Sequence, residues 1–452
     1  MKNEMYACIE CGFETPKWMG KCIRCGKWGS LKLVQQDNDK NISSAKGKKS
    51  KILKFNPEKL IKLERSRTGF KEFDRVLGGG FVDGEVILIG GEPGIGKTTF
   101  LLQVINNLIN KNNKCVYISA EETLEQIGVH SKRLGIHSKF DFISDDNVDT
   151  VINSLVDKKY KLVIVDSIQT VKSEDIKGLT GGVGQVKVCT EKLVDFAKRY
   201  NTSIILVGHI TKGGDLAGPK VIEHLVDAVL YLEGEASSNI RIIRSFKNRF
   251  GSTRDIGVFT FEKDGFIDAE NPAEIFIRSK KPRMGICKGV VFEGRRAILI
   301  EIQALITNSI FSVPQRVVSG ILKSKIQMLC AVLTKYTRAN FLNKDVYINI
   351  ANGLKSNDSS LDLALCIALL SSYFNKKINP LEVAIGEVSL TGQIYSTDLI
   401  FEKVKSLKSL GYVRIALPLE ALKVVENNKY AMFFDSVNDL INKHNYRTTR
   451  VI

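Results

Sequence analysis

Short, unbroken apolar runs alternate with amphipathic stretches over more than half of the chain. Runs rich in β-branched residues begin near Val86, Cys115, Lys161 and Ser203, and their length and composition are typical of strands buried on both faces. Between them, stretches such as FLLQVINNLIN repeat their apolar residues at helical spacing. Strands and helices that alternate in this way through residue 270 predict an α/β fold with a doubly wound, parallel sheet.

Changes in this pattern predict where the domains lie. Residues 35–58 are polar and contain the run AKGKKSK, which is typical of a basic, flexible linker. Residues 273–288 include the run RSKKPRMG and suit a boundary segment. The remainder predicts a second α/β unit, with paired strands around Gly294, a helix in LDLALCIALLSSYF and a hairpin in AIGEVSLTGQIY. We therefore expect folded domains over residues 1–34, 59–272 and 289–452.

The segment that follows the first buried strand has the form of a phosphate-binding loop. Gly91 and Gly96 stand at the two fixed glycine positions of G-x-x-x-x-G-K-[ST], and a helical stretch follows. Glycines let successive N–H groups turn toward a phosphate, and the helix N-terminus adds its partial positive charge. We expect Lys97 to reach the β- and γ-phosphates of ATP and Thr98 to hold Mg²⁺. The residues expected to line ATP and Mg²⁺ are Gly91, Glu92, Pro93, Gly94, Ile95, Gly96, Lys97, Thr98, Thr99 and Asp166.

Polar residues stand where the neighbouring apolar runs end. Asp166 follows LVIV as in a Walker B strand, where a carboxylate holds the water shell of Mg²⁺. Glu121 or Glu122, after CVYISA, could polarise the attacking water, and capping a surface helix is the alternative role for either one. His209 ends SIILVGH, where it either senses the nucleotide or caps the strand. The sequence therefore predicts an ATP-hydrolysing site at this sheet edge.

The segment RSFKNRFG, from Arg244 to Gly251, is basic and carries aromatic residues. Lys247 and Arg249 are two residues apart, so an extended backbone places both on one face. We expect them to reach a phosphate, either of DNA or of the ATP of a neighbouring subunit.

Four cysteines near the N-terminus have the spacing of a metal site. Cys8 and Cys11 form one C-x-x-C pair, and Cys22 and Cys25 form a second. Four thiolates in this arrangement close a tetrahedral, structural Zn²⁺ site, and two disulfides are the alternative. The insert interleaves tryptophans with lysines and arginine. It is either a nucleic-acid-binding surface or the core of a very small module.

The composition limits partners and location. The chain has 452 residues, a hydrophobic fraction of 44% and a formal net charge of +17, which favours nucleic acid or an anionic membrane as partner. A lysine-rich proteome would produce the same charge. We find no stretch with the length and hydropathy of a membrane span and no signal-peptide pattern, so we expect a cytoplasmic protein without a membrane partner.

The motifs as a set resemble one family, the bacterial DNA repair proteins called RadA or Sms. The resemblance covers essentially the whole chain, and KNRFG is its most discriminating motif because it separates this family from RecA. The other matching motifs are the two C-x-x-C pairs, TGF…DRVLGGG, GGEPGIGKTT, VYISAEE, LVIVDSIQT and GHITK…GPKVIEH. The resemblance implies a RecA-like ATPase domain, followed by a domain similar to the Lon protease domain.

The resemblance also implies an activity and roles for particular residues. Such proteins are DNA-stimulated ATPases of homologous recombination that form hexameric rings, move on single-stranded DNA and act on branched DNA beside RecA recombinase. By the same resemblance Glu121 is the likelier catalytic glutamate and His209 the nucleotide sensor. The residues implied in coupling ATP to DNA work are Lys247, Asn248, Arg249, Phe250 and Gly251. A RecA-like ATPase that acts on protein partners, of the clock or signalling type, is the alternative function.

Two segments depart from the family pattern. The glycine-rich stretch from Gly178 to Cys189 is expected to be a loop, and its residues 178–184 are richer in glycine than the family pattern. In NDSSLDLA, Ser360 falls at the position of Lon's nucleophile, but Phe401 falls at the position of its lysine. Lys403 lies two residues further, and a helix would turn it about 200° from Phe401, away from the site. We therefore expect a scaffold without peptidase activity.

Overall fold

The computed structural model describes residues 5–8, 14–24, 26–34, 64–176, 178–209, 221–234, 238–294, 296–310, 313–351, 356–425 and 430–443. The chain divides into two compact units. The first comprises Met1–Glu233, Ile243–Thr253 and Glu262–Phe266, and the second comprises Gly234–Ile242, Arg254–Phe261 and Ile267–Ile452. Within the described ranges, every helix is too short or too polar to cross a lipid bilayer.

Strands and helices are numbered here along the chain. The strands are β1 (Met5–Cys8), β2 (Glu14–Thr15), β3 (Leu31–Val34), β4 (Arg65–Ser66), β5 (Phe81–Val82), β6 (Val86–Gly91), β7 (Cys115–Ser119), β8 (Asp141–Ile143), β9 (Leu162–Asp166), β10 (Ser203–His209), β11 (Ala228–Glu233), β12 (Ile240–Asn248), β13 (Ile256–Glu262), β14 (Gly265–Asp268), β15 (Arg283–Met284), β16 (Ile286–Glu293), β17 (Arg296–Asn308), β18 (Arg316–Ser319), β19 (Lys344–Ile350), β20 (Lys377–Ile378), β21 (Glu382–Ala384), β22 (Glu387–Val388), β23 (Ile394–Tyr395), β24 (Arg414–Pro418) and β25 (Ala431–Phe434). The helices are α1 (Lys71–Val76), α2 (Lys97–Ile109), α3 (Leu124–Arg133), α4 (Val148–Leu155), α5 (Val183–Tyr200), α6 (Val221–Leu225), α7 (Lys323–Tyr336), α8 (Asp362–Tyr373), α9 (Ile400–Ser409) and α10 (Val437–Lys443).

A parallel sheet forms the centre of the first unit. Six consecutive strands of this nine-stranded sheet lie in the order β11–β6–β10–β9–β7–β8, and each neighbouring pair among them is parallel. Every residue of β6, β7 and β9 is buried, as the unbroken apolar runs predict for strands covered on both faces. The carboxyl ends of parallel strands meet at one sheet edge, so the residues that follow β6, β7, β9 and β10 are brought together there.

Aromatic packing fixes the helix that follows the glycine loop. Phe100, in the first turn of α2, contacts the rings of Phe70, Phe73 and Phe266, with centroids 4.9–5.1 Å apart. Phe100 is fully buried. Because these contacts anchor the first turn of α2, they also fix the position of Lys97, the first residue of that turn.

The glycine-rich segment after β9 differs from its expectation. The loop was expected to extend to Cys189, but α5 begins at Val183. The Gln185 side chain accepts a hydrogen bond from the Ser173 amide at 2.9 Å and donates to the Ser173 carbonyl at 3.1 Å. These bonds tie the first turn of α5 to the segment after β9, which satisfies polar groups that a loop would leave to water.

A second sheet organises the second unit. Its strands lie in the order β18–β19–β17–β16–β21–β24–β25. β16 and β17 pair antiparallel on either side of Gly294, which has a φ of 63°, and β22 and β23 form the expected hairpin. The first ten residues of α8 are buried, which explains why its sequence lacks an amphipathic pattern.

Candidate nucleotide-binding site

The phosphate-binding loop connects β6 to α2 as the sequence predicts. A Cβ atom at Gly91 would lie 2.9 Å from the Leu232 carbonyl oxygen, so only glycine fits there. Gly94 and Gly96 have φ values of 77° and 110°, in the left-handed region that favours glycine. Glu92, Pro93 and Gly94 are exposed, whereas Ile95 is buried beneath them. The loop therefore presents its backbone to solvent at the N-terminus of α2.

Lys97 lies beneath this loop and is almost fully buried. Its Nζ atom donates hydrogen bonds to the carbonyl oxygens of Gly91 at 2.9 Å and Glu92 at 3.1 Å. Burial lowers the pKa of Lys97, and the carboxylates of Asp166 and Glu121 oppose that shift. The ammonium group is thus close to both acids that the sequence placed at this edge.

Asp166 and Thr98 meet at the carboxyl end of β9. The Thr98 hydroxyl donates to Asp166 Oδ2 at 3.1 Å, and the Tyr117 hydroxyl donates to the same oxygen at 2.5 Å. Burial raises the pKa of Asp166, while these two hydrogen bonds lower it. A hydroxyl beside a carboxylate is a set of hard oxygen donors, which is what Mg²⁺ prefers, so these residues fit that ion.

The two glutamates after β7 have different surroundings. Ser167 donates a hydrogen bond to Glu121 Oε1 at 2.5 Å, and His209 Nε2 lies 3.3 Å from the same oxygen. The hydrogen bond from His209 is the largest cause of the lowered pKa of Glu121, which is opposed by burial. Glu122 Oε2 instead lies 3.7 Å from His130, and burial raises its pKa. Glu121 is therefore the glutamate that contacts the neighbouring strand ends.

The segment KNRFG makes contacts within the first unit. Lys247 Nζ donates to the carbonyls of Glu223 at 2.7 Å and Val226 at 2.8 Å, near the C-terminal end of α6. Asn248 is buried, donates to the Val76 carbonyl at 3.0 Å and accepts from the Phe250 amide at 2.8 Å. A Cβ atom at Gly251 would lie 2.7 Å from the Asn248 side chain, which accounts for the glycine.

Arg249 forms an ion pair that the sequence did not predict. Its Nη1 atom lies 3.0 Å from Asp227 Oδ1, and the other carboxylate oxygen of Asp227 accepts from the Val86 amide at 3.1 Å. The Asp227 side chain is 6% exposed, whereas that of Arg249 is 51% exposed. Arg249 is thus held to the strand that leads into the phosphate-binding loop and is still accessible to solvent.

Four residues that sequence reasoning missed belong to this site. Tyr117, Ser167 and Asp227 are the partners of the acids and of Arg249, and the sequence assigned a role to none of them, although Tyr117 and Ser167 lie within quoted motifs. Arg133, at the end of α3, donates to the Thr99 hydroxyl at 3.2 Å. Only the fold brings these residues from distant parts of the sequence to the loop.

The structure describes two of the four cysteines of the predicted zinc site. Cys8 and Cys22 are buried in one small cluster with Leu31. The Cys22 carbonyl accepts a hydrogen bond from the Gly26 amide at 2.8 Å, so the chain turns tightly after Cys22. Cys11 and Cys25 lie outside the described residues. The two buried thiols fit a zinc site.

In the second unit, Phe401 and Lys403 lie on opposite sides of α9 as expected, but the inward orientation of Lys403 was not expected. Helix α9 buries Ile400, Lys403, Val404 and Leu407, a helical stripe into which position 403 falls. Lys403 is therefore buried, and Phe401 is the exposed residue. The Lys403 ammonium lies 3.5 Å from the Thr397 hydroxyl, and the buried Ser360 hydroxyl donates to the Val290 carbonyl at 3.1 Å.

Fold and site together define a P-loop ATPase with a RecA-like sheet. Three family models match parts of the chain: the KaiC ATPase over residues 66–141, the rubredoxin metal binding domain over residues 6–32, and subunit ChlI of Mg-chelatase over residues 300–421. These matches agree with an N-terminal metal module, a central ATPase and a further α/β region.

Full-length relatives identify the family. The chain is 39% identical over 431 residues to the DNA repair protein RadA of Streptococcus pyogenes serotype M1, with 94% of each chain covered. It is 39% identical to that of Bacillus subtilis, covering 91% of this chain and 92% of the relative, and 36% identical to that of Helicobacter pylori, covering 92% and 94%. The chain belongs to the RadA family of DNA repair proteins. Among solved structures, the RadB recombinase matches 45% of this chain and 99% of its own, with 23% identity and a TM-score of 0.36.

Proposed function

We propose that this chain is a DNA-dependent ATPase that processes homologous-recombination intermediates, moving on single-stranded DNA to extend heteroduplex and promote branch migration in DNA break repair. The observation that carries the proposal is the convergence of Lys97, Asp166, Glu121 and His209 at one sheet edge, in a member of the RadA family. The relatives' shared name, DNA repair protein, supports this process over the signalling alternative.

Residues of the loop and of β9 would bind the nucleotide. Lys97 would exchange its bonds to the loop carbonyls for bonds to the β- and γ-phosphates, because its flexible stem already ends beneath the loop. Thr98 and Asp166 would hold Mg²⁺ directly or through its water shell. When bound, Mg²⁺ neutralises the charge on the phosphate oxygens.

Glu121 would take the proton of the attacking water. Ser167 and His209 both contact Oε1 of Glu121, so Oε2 would be the oxygen that accepts the proton. The same contacts keep Glu121 ionised, because hydrogen bonds to the carboxylate favour its charged form. His209 also pairs in register with Gly91, so it would relay a change at the γ-phosphate to Glu121, the general base.

A matched pair of substitutions tests these roles. Glu121→Gln should lower the Mg²⁺-dependent turnover of ATP by about 10²-fold or more, which is typical of a lost general base. Glu122→Gln alters the adjacent residue in the same way and should leave turnover within a few-fold of the wild type. Equal losses in the two variants, or no loss in either, would contradict the assignment.

DNA dependence has its own test. Single-stranded DNA should accelerate ATP hydrolysis at low salt, and the acceleration should fall steeply as salt rises, because phosphate contacts release counterions. An ATPase rate that does not change with DNA at any salt concentration would favour a protein substrate instead.

We propose that the working form is a homo-hexamer acting with RecA recombinase. We also propose that the four N-terminal cysteines bind one structural Zn²⁺.

A further inference from the structure

The two tryptophans of the metal-binding module lie on its surface. Trp18 is 62% exposed and Trp28 is 78% exposed, and they are the only tryptophans in the chain. The core of the module is built by other residues, namely Cys8, Cys22 and Leu31 with Tyr6 and Met19. The tryptophans therefore do not form this core, and two exposed indole rings in one small module are a candidate interaction surface.

Trp28 is held in place although its ring is exposed. It forms a backbone bridge with Lys21, and the Gly29 amide donates to the Gly20 carbonyl at 2.7 Å. A Cβ atom at Gly20 would lie 3.5 Å from the indole, so the ring rests against the backbone of this glycine. The Lys21 ammonium lies 5.8 Å from the ring centroid. The indole is thus preorganised, with most of its surface still facing solvent.

The segment that carries these two rings is strongly basic. Residues 14–34 contain a single acidic residue, Glu14, and five basic ones. All five basic side chains are exposed, namely Lys17, Lys21, Arg24, Lys27 and Lys32. Aromatic faces among exposed cations match a ligand that has both planar groups and negative charges, which single-stranded nucleic acid provides at every nucleotide.

We propose that Trp18 and Trp28 form a stacking surface for the unpaired bases of single-stranded DNA, and that the surrounding lysines and arginine bind its phosphates. The choice of DNA as ligand rests on the proposed function. Since every base has a π face, this surface would bind without sequence preference, as a protein that moves along DNA requires.

The tryptophan content makes the inference directly measurable. Intrinsic tryptophan emission of the full chain reports on these two residues alone, so titration with an oligothymidylate should quench it. The quenching should saturate together with the fluorescence anisotropy of a labelled oligothymidylate. In Trp18→Phe and Trp28→Phe, which keep an aromatic ring, the remaining tryptophan should still be quenched.

Affinity provides the second measurement. Trp28→Ala should weaken oligothymidylate binding by about 5-fold or more, the range for one lost base stack, whereas Trp28→Phe should retain most of the affinity. Zinc retained by Trp28→Ala at the wild-type level would show that the module is still folded. Phe401→Ala removes an exposed aromatic ring from the second unit and should leave affinity unchanged.

The outcomes separate the two proposals. If anisotropy reports binding while tryptophan emission and the Trp28→Ala affinity stay unchanged, DNA binds elsewhere and the exposed rings serve a protein partner. That result overturns the stacking surface and leaves the proposed function intact. If the wild type fails to bind the oligothymidylate at low salt, both proposals fall.

Discussion

Glu85 is a buried acidic residue that immediately precedes β6, the strand that leads into the phosphate-binding loop. It is 1% exposed, and its Oε2 atom accepts from the Val82 amide at 2.8 Å. Burial raises its pKa to about 7, and the nearby carboxylate of Asp227 adds to the shift. The substitution Glu85→Gln removes the titrating group while keeping an oxygen that accepts from Val82. We expect it to change how stability depends on pH.

The sign and size of the change in the free energy of unfolding with pH follow from proton linkage. An acid whose pKa is raised by folding binds its proton more tightly in the folded state, so its contribution to stability is complete below about pH 4.5 and is lost as pH rises through about 7. With these two pKa values, the free energy of unfolding should fall by about 2.5 kcal/mol between about pH 5 and pH 8. Glu85→Gln should lack this decrease and be the more stable protein at pH 8.

The pH dependence of stability near Glu85 can be measured by hydrogen exchange. Exchange of peptides covering β6 is followed by mass spectrometry and corrected for intrinsic rates. The ratio of protection between variant and wild type should rise by about 70-fold from the acidic to the basic condition, which is about 2.5 kcal/mol. Glu191→Gln, on α5, is the matched control because the side chain of Glu191 is 45% exposed. A ratio that is the same at both pH values would refute the reasoning.

Four further outcomes are expected. Lys97→Ala should abolish Mg²⁺-dependent ATP turnover, and undiminished turnover would exclude the loop as the phosphate site. Cys22→Ser should lose bound zinc on metal analysis yet keep ATP hydrolysis, because the metal would be structural; retained zinc would contradict the site. Arg249→Ala should lower the melting temperature because it leaves the charge of Asp227 buried without its ion-pair partner. The double variant Arg249→Ala, Asp227→Asn should regain the melting temperature. Branch migration should stay lost in the double variant if Arg249 acts on DNA or ATP. The wild type and Ser360→Ala should both leave casein intact with ATP, and cleavage confined to the wild type would show a peptidase.

The parts of the molecule that follow from local pattern could be predicted from the sequence. The buried strands β6, β7, β9 and β10 follow from apolar runs, and their common parallel edge follows from their alternation with helices. The loop glycines could be predicted too, because only glycine readily adopts left-handed φ values and tolerates such close backbone approach.

Contacts between distant segments could not be predicted in this way. Tyr117 looks like an ordinary strand residue, and only the adjacent position of β9 brings its hydroxyl to Asp166. Lys403 was misplaced because its direction depends on the phase of α9, which is set by Ile400, Val404 and Leu407 packing against the sheet. Counting from a motif gives the separation along a helix and says nothing of which side faces the core.

Asp227 shows how the basic motif and the nucleotide site are physically linked. One of its carboxylate oxygens binds Arg249 and the other binds the first amide of β6, the strand that ends at Gly91. If Arg249 moved to a phosphate, the charge of Asp227 would be left buried beside Glu85, which is costly without a new partner or a proton. Any use of Arg249 in binding a phosphate would therefore change the electrostatic environment at the start of β6. β6 runs from Val86 to Gly91, so this strand connects Asp227 directly to the loop that we propose binds the phosphates of ATP, without a contact between Arg249 and the loop itself.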